Sequence, residues 1–248
     1  MKAALFPDWT PPDGVRALTT LRYGIGISAA PFDSFNLGMH CGDDPQIVAE
    51  NRKALVEYFS LPSAPRWLRQ VHGVEVVRQF AQASEAEAEA DAMVTDARGV
   101  VLAILTADCL PVILAAQDGN EVAIAHAGWR GLAGGVLEAA VAMMETTPDR
   151  LIAWLGPAAG PEIYEVGEEV RDAFVQYDPA TAAAFCETRP SHWRADLYAL
   201  ARRRLQAAGM AATSVHGGGL CTISDSRRFY SHRRDQRTGR MATLIWKQ

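Results

Sequence analysis

The sequence predicts an α+β fold, a single domain over residues 1–248 in which mixed β-sheets are sandwiched by helices. Three observations predict it. Short Val- and Ile-rich runs broken by Gly and Asp crowd residues 92–126, segments of helical periodicity flank them, and the two kinds of element follow one another without regular βαβ alternation. With 248 residues, 49% of them hydrophobic, the chain has enough apolar material for one substantial core.

The first helix is predicted in "DDPQIVAENRKALVEYF", where Asp44 can cap, Pro45 suits the first turn, and Ile47, Leu55 and Phe59 recur near helical spacing. "RQVHGVEVV" (69–77) then alternates Val74 and Val76 with Glu75, as a strand does. The Ala/Glu alternation of 81–90 reads as a short solvated helix or a loop without chemistry. Strands are expected at 92–95, 100–105, 111–116 and 121–126, a helix at 131–147 and a strand at 151–157. Two further helices cover 167–177 and 195–209. The second places Leu197, Leu200, Ala201 and Leu205 on one face, and its arginines 202–204 read as a solvated face. A turn at Thr238-Gly239 leads to a final strand, "MATLIW".

The formal charge of -5 comes without a basic block, which argues against nucleic acid as a partner. No apolar run reaches the ~18 residues of a membrane span, and the opening residues do not read as a signal peptide. A cytoplasmic protein with a small-molecule substrate is the expectation. Cys41, Cys109, Cys186 and Cys221 are scattered without a CxxC pair, so free thiols are expected rather than a disulfide framework.

Chemistry concentrates in "LTADCLPVILAAQDGNEVAIAHAGWRG" (105–131). Asp118-Gly119 signals a hairpin. Pairing about that turn sets Val122 opposite Ala115 and His126 opposite Pro111. Cys109 then becomes a diagonal neighbour of His126, with Cα atoms roughly 7–8 Å apart. His72, beside Gly73 at a strand mouth, supplies a third donor. His72, Cys109 and His126 form a His₂Cys set suited to zinc with a fourth position open. Two other readings use the same atoms: a Cys109–His126 nucleophilic dyad, and a buried thiol with two histidines bonded to backbone. No good fourth ligand stands out besides Asp108 or Cys221, which favours an open site. "HAGWRGLAGG" (126–135) offers an anion seat at a glycine-rich helix start, with Arg130 as charge partner.

"RQVHG", "ADAMVTD", "LTADCLPVILA", "HAGWRG", "LGPAAGPEIYEVGEEV" and "FYSHRRDQRTGRMATLIW", in this order, resemble the motifs of the bacterial laccase-domain family, also called YfiH, polyphenol oxidase or peptidoglycan editing factor. "TTLRYGIGISAAPFDSFNLGMHCGDDPQIVAENR" resembles its N-terminal motif, so the likeness runs from about residue 15 to 247. The resemblance implies a fold akin to cysteine-hydrolase toxins and a zinc or copper site at His72, Cys109 and His126. It also implies phosphorolysis of adenosine, inosine and methylthioadenosine, and deamination of adenosine. Arg22, Asn36, Gln70, Arg130 and Arg233 are the substrate-binding candidates it adds. Alternative activities are Cys-His hydrolysis of a UDP-muramoyl-L-serine precursor and copper-dependent phenol oxidation. A zinc-stabilised binding protein is the non-enzymatic alternative. The chain departs from the family pattern at Cys41 and His232.

Overall fold

The computed structural model describes residues 3–82 and 86–248. Two sheets lie face to face. One has the order Ala4–Leu5, Val15–Thr20, Met241–Lys247, Val101–Thr106 and is antiparallel throughout. The other has the order Val215–Gly217, Leu151–Leu155, Leu110–Ala116, Val122–Ala127, Ala92–Thr95, Val76–Arg78. Its four inner strands are antiparallel and both edge strands pair in parallel, so the sheet is mixed, as expected.

Period-two alternation divides the apolar side chains between the layers. Leu102 and Ile104 from the first sheet meet Met93, Ile113, Val122 and Ile124 from the second in one buried inter-sheet core. The alternate residues Leu110, Val112, Leu114, Ala123 and Ala125 face outward, where helices Val136–Met143 and Leu197–Ala207 cover them. On the far side, helix Pro45–Tyr58 lays Leu55 against Leu18, Val101, Ala103 and Leu244. The result is helix, sheet, sheet, helix.

The Asp44 cap is formed: its side chain accepts from the Gln46 backbone N–H. The buried face of that helix is Val48, Asn51 and Leu55, with Ile47 only half-buried, a shift of one residue from the expected stripe. Asn51 is buried because it ties down the preceding loop, accepting from Ile27 N–H and donating to Ser28 Oγ and Asn36 O. The helix expected at 131–147 is two helices, Trp129–Gly134 and Val136–Met143, broken where Gly135 takes φ +99°. Within the Ala/Glu segment, residues 83–85 lie outside the described residues, and Ala88–Glu89 pairs in parallel with Leu68–Arg69 rather than forming a helix.

Of arginines 202–204 only Arg203 is on a solvated face; Arg202 is half-buried and Arg204 buried. Arg202 donates to the carbonyls of Val215 and Gly217, and Arg203 pairs with Asp178. Arg204 is buried, bonded to Glu138 and to the Ala133 carbonyl and stacked on Tyr177. Each guanidinium fastens the helix to a neighbouring segment, which sequence periodicity alone does not reveal.

Candidate metal centre

The hairpin register is the expected one: His126 pairs with Pro111 and Val122 with Ala115. His126 has the parity of Val122 and Ile124, so it projects between the two sheets at the end of their shared core. Cys109 precedes the paired strand, which begins at Leu110, and follows a reversal in which Asp108 holds φ +96°. That reversal is locked by the Asp108 carboxylate, which accepts from Thr222 Oγ1 at 2.6 Å and from Arg233 N–H at 2.6 Å. Asp108 therefore serves the turn. Cys221 sulfur accepts from Gly160 N–H and from Ser224, so neither candidate closes the donor set.

His72 arrives from a turn in which it takes φ +61°. Asp91 stabilises that strained turn. Its buried carboxylate accepts from the N–H groups of Val71, His72 and Gly73 at 3.1, 3.0 and 2.7 Å. The same carboxylate lies 2.7 Å from His126 Nδ1. An ionised Asp91 requires a proton on Nδ1, which makes Nε2 the nitrogen that a ligand takes in exchange for its proton.

The ligand atoms of His72, Cys109 and His126 all lie within 4.8 Å of one another, with Cys109 Sγ 3.8 Å from His72 Nε2 and the two imidazoles edge to face. Gly128 forms the wall behind them. A Cβ there would stand 2.9 Å from His72 Cδ2 and 3.0 Å from Cys109 Sγ, closer than packed atoms tolerate. Among the described residues no other group of His, Cys, Asp or Glu gathers in this way. The cluster can coordinate a metal ion.

Charge follows geometry. Burial pushes the Cys109 thiol up, but the His126 imidazolium, with hydrogen bonds from His126 and His72, overrides this and brings it to about 6. Burial pushes His126 down, but the Cys109 thiolate and then Asp91 outweigh it and raise it to about 9. Asp91 is likewise penalised by burial, yet its bond to His126 and the backbone N–H groups hold it below the usual carboxylate range.

One cavity opens on the cluster, and a second lies around Arg130 and Tyr164. The first, of about 380 Å³, reaches His72, Cys109 and His126, with Leu68, Leu105, Ala107 and Met39 among its apolar walls and His40, Cys41 and His232 also lining it. The second, of about 350 Å³, is lined by Arg130, Tyr164, Arg189 and Arg233 together with Glu165 and Glu169. Tyr164 is raised to about 12, mainly by burial and then by the charge of Cys109, so it stays protonated.

The five substrate-binding candidates separate. Arg130 and Arg233 line the second cavity, stacked on Trp129 and Tyr164, and neither has a carboxylate partner among the described residues. Gln70 lines the first, but its amide is committed to both backbone groups of Leu105, at 2.8 Å each. Arg22 and Asn36 line neither. Arg22 is held by Asp33 and Asp235. Asn36 is fully buried and joins Gly38, Asp43 and the Arg240 N–H. Asp91 and Tyr164 carry no local signal in the sequence as neighbours of the cluster. The signal for Asp91 was available only through the pairing of Ala92 with Ala125, which sets Asp91 beside His126.

The chain shares its sequence and its fold with known proteins over nearly its full length. A family model described as "Multi-copper polyphenol oxidoreductase laccase" matches residues 16–248. A Xylella fastidiosa protein named purine nucleoside phosphorylase is 60% identical over 98% of this chain and 96% of its own. The Escherichia coli protein named purine nucleoside phosphorylase YfiH is 47% identical over 99% of each. Among solved structures, Neisseria meningitidis protein NMB0706 superposes with a TM-score of 0.94 at 44% identity, covering 99% of both chains. YlmD from Geobacillus stearothermophilus gives 0.93 at 33% identity, covering 100% of this chain and 97% of that one. With the family model matching residues 16–248, and relatives 60% and 47% identical to it over nearly the full length, the chain belongs to the YfiH laccase-domain family.

Proposed function

We propose that the chain is a zinc-dependent purine nucleoside phosphorylase acting on adenosine, inosine and methylthioadenosine, with adenosine deamination at the same centre. The observation that carries this reading is the convergence of His72, Cys109 and His126 on one cavity, in a chain so similar to proteins named for that activity. The donor set fits zinc. It offers two imidazoles and a thiol of lowered pKa, a carboxylate fixing one tautomer, a glycine wall that a side chain would fill, and no fourth protein ligand among the described residues. When bound, the metal supplies Lewis acidity beside the reacting bond.

The chain's own residues do the rest. Leu68, Leu105, Ala107 and Met39 give a purine ring an apolar place from which water is excluded. Arg130 and Arg233 seat the phosphate in the second cavity, where their charges are free of carboxylate partners. Tyr164, kept protonated between them and Cys109, donates toward the same anion. Gln70 shapes the wall through Leu105, and Arg22 and Asn36 hold the loop 22–43 that borders the first cavity.

One observation favours a second reading, a Cys-His hydrolase: Cys109 is largely thiolate near neutral pH and has an imidazole at 3.8 Å. One experiment separates the two. Metal content and turnover of adenosine and inosine in phosphate are measured before and after chelation, in the wild type and in Cys109→Ala. About one zinc per chain, lost together with turnover in both treatments, is the expected result. A metal-free protein that is rapidly alkylated at Cys109 and turns over no nucleoside supports the hydrolase instead.

A further inference from the structure

Thr106 ends the strand Val101–Thr106 and shares the parity of Leu102 and Ile104, so it projects into the gap between the sheets, as His126 does from the opposite sheet. Both line the cavity of the donor cluster, and both lie at its buried end: Thr106 is 1% exposed and His126 3%. The Thr106 hydroxyl is buried and has no hydrogen-bond partner among the described residues. Of the side-chain atoms left in that condition, it is the one belonging to a residue that lines this cavity.

A buried hydroxyl without a partner is destabilising, and a folded chain normally satisfies such a group within itself. Thr19 and Thr243, on neighbouring strands of the same sheet, do so by bonding each other at 2.8 Å. Thr106 is different because it lies on the outermost strand of the sheet and lines the cavity of the donor cluster. A hydroxyl both donates and accepts, and among the groups of a nucleoside the sugar hydroxyls answer both demands at a single atom.

We infer that Thr106 is a positioning residue whose hydroxyl bonds a ribose hydroxyl of the bound nucleoside, fixing the sugar against His126 and Cys109. The inference rests on the nucleoside reading above. It places the sugar at the buried end of the cavity and leaves the base to the apolar walls nearer the mouth, beside Met39 and the exposed His40 and His232.

The test uses the metal-loaded full chain as wild type, Thr106→Val and Thr106→Ser. Inosine and its 2′-, 3′- and 5′-deoxy analogues are the substrates, and urea unfolding is measured alongside. Valine keeps the shape and removes a hydroxyl that has no partner in the free protein, so the unfolding midpoint stays unchanged or rises. With inosine, kcat/KM falls roughly five- to fiftyfold in Thr106→Val and recovers in Thr106→Ser. With one deoxy analogue the difference between wild type and Thr106→Val shrinks to about one, which identifies the hydroxyl that is bound. An unchanged kcat/KM in Thr106→Val, or a loss equal for all four substrates, overturns the inference while leaving the nucleoside reading intact. A wild type that turns over none of the four overturns both.

Discussion

Asp91 Oδ1 lies 2.7 Å from His126 Nδ1, and the backbone N–H of His126 donates to the Asp91 carbonyl at 2.7 Å, so the two residues are bonded twice across adjacent strands. The same carboxylate closes the turn that carries His72. One side chain thereby positions both imidazoles of the cluster. Asp91→Asn should lower zinc affinity about 10–100-fold, because an amide offers one acceptor where the carboxylate serves four donors. Competition with a chromophoric chelator measures this directly. Affinity equal to wild type would mean that the turn and His126 hold their places without the charge.

Gly128 tests the wall behind the ligands. In Gly128→Ala the new methyl group meets His72 and Cys109 at about 3 Å, and the Gly128 carbonyl is bonded to Leu132 N–H, so the backbone has little room to retreat. The expected outcome is a folded protein with far-ultraviolet circular dichroism like wild type that binds less than half an equivalent of zinc. Full zinc occupancy would show that the ligands shift aside without loss.

How legible all this was depended on the range of the interaction. The hairpin 110–127 was readable because Asp118-Gly119 fixes its register locally, and register fixes which face His126 takes. Asp91 was not readable, because its role depends on a strand pairing 35 residues away with no turn to announce it. His72 had no local geometry linking it to the other two ligands; only motif likeness did. The arginines 202–204 misled because a charged run looks solvated unless its partners, Glu138 and Asp178 among them, are known from the tertiary fold. Gly135 shows the opposite limit: a single glycine inside a helical pattern permits a break but does not require one.

Proton release on metal binding follows from the pair Cys109–His126. With the thiol brought to about 6 and the imidazole raised to about 9, the metal-free protein at pH 7.5 holds a thiolate beside an imidazolium. Zinc needs the imidazole neutral, so binding should release about one proton, contributed by His126 rather than Cys109. Titration calorimetry in buffers of different ionisation enthalpy counts it. The same pair shapes metal-free stability. The lowered Cys109 pKa contributes stability that is lost as pH falls through about 6, and the raised His126 pKa contributes stability that is lost as pH rises through about 9. Between those values the two slopes oppose each other, because the folded pair and the unfolded pair each hold one proton, so the unfolding midpoint of the metal-free protein should stay nearly flat across that window. A release near zero protons at pH 7.5 would mean that His126 is already neutral.

Arg204 carries a stability prediction independent of the metal. It is 5% exposed, bonds Glu138 at 2.9 Å, donates to the Ala133 carbonyl and stacks on Tyr177 at 4.3 Å. It thus joins helices Trp129–Gly134, Val136–Met143 and Leu197–Ala207 behind the six-stranded sheet. Arg204→Ala removes the only ion-pair partner of Glu138 among the described residues, while the other oxygen of that carboxylate is already buried without a bond. The loss should be about 2–3 kcal/mol, since Glu138 is partly solvated and a fully buried pair would cost more. Arg203, one residue away but exposed in its pair with Asp178, should leave the urea midpoint unchanged within error when replaced by alanine. Equal effects at 203 and 204 would show that burial does not separate the two arginines. If Arg204→Met recovers most of the loss, the arginine acts chiefly through the packing of its stem. If it does not, the bonds to Glu138 and Ala133 supply the stability.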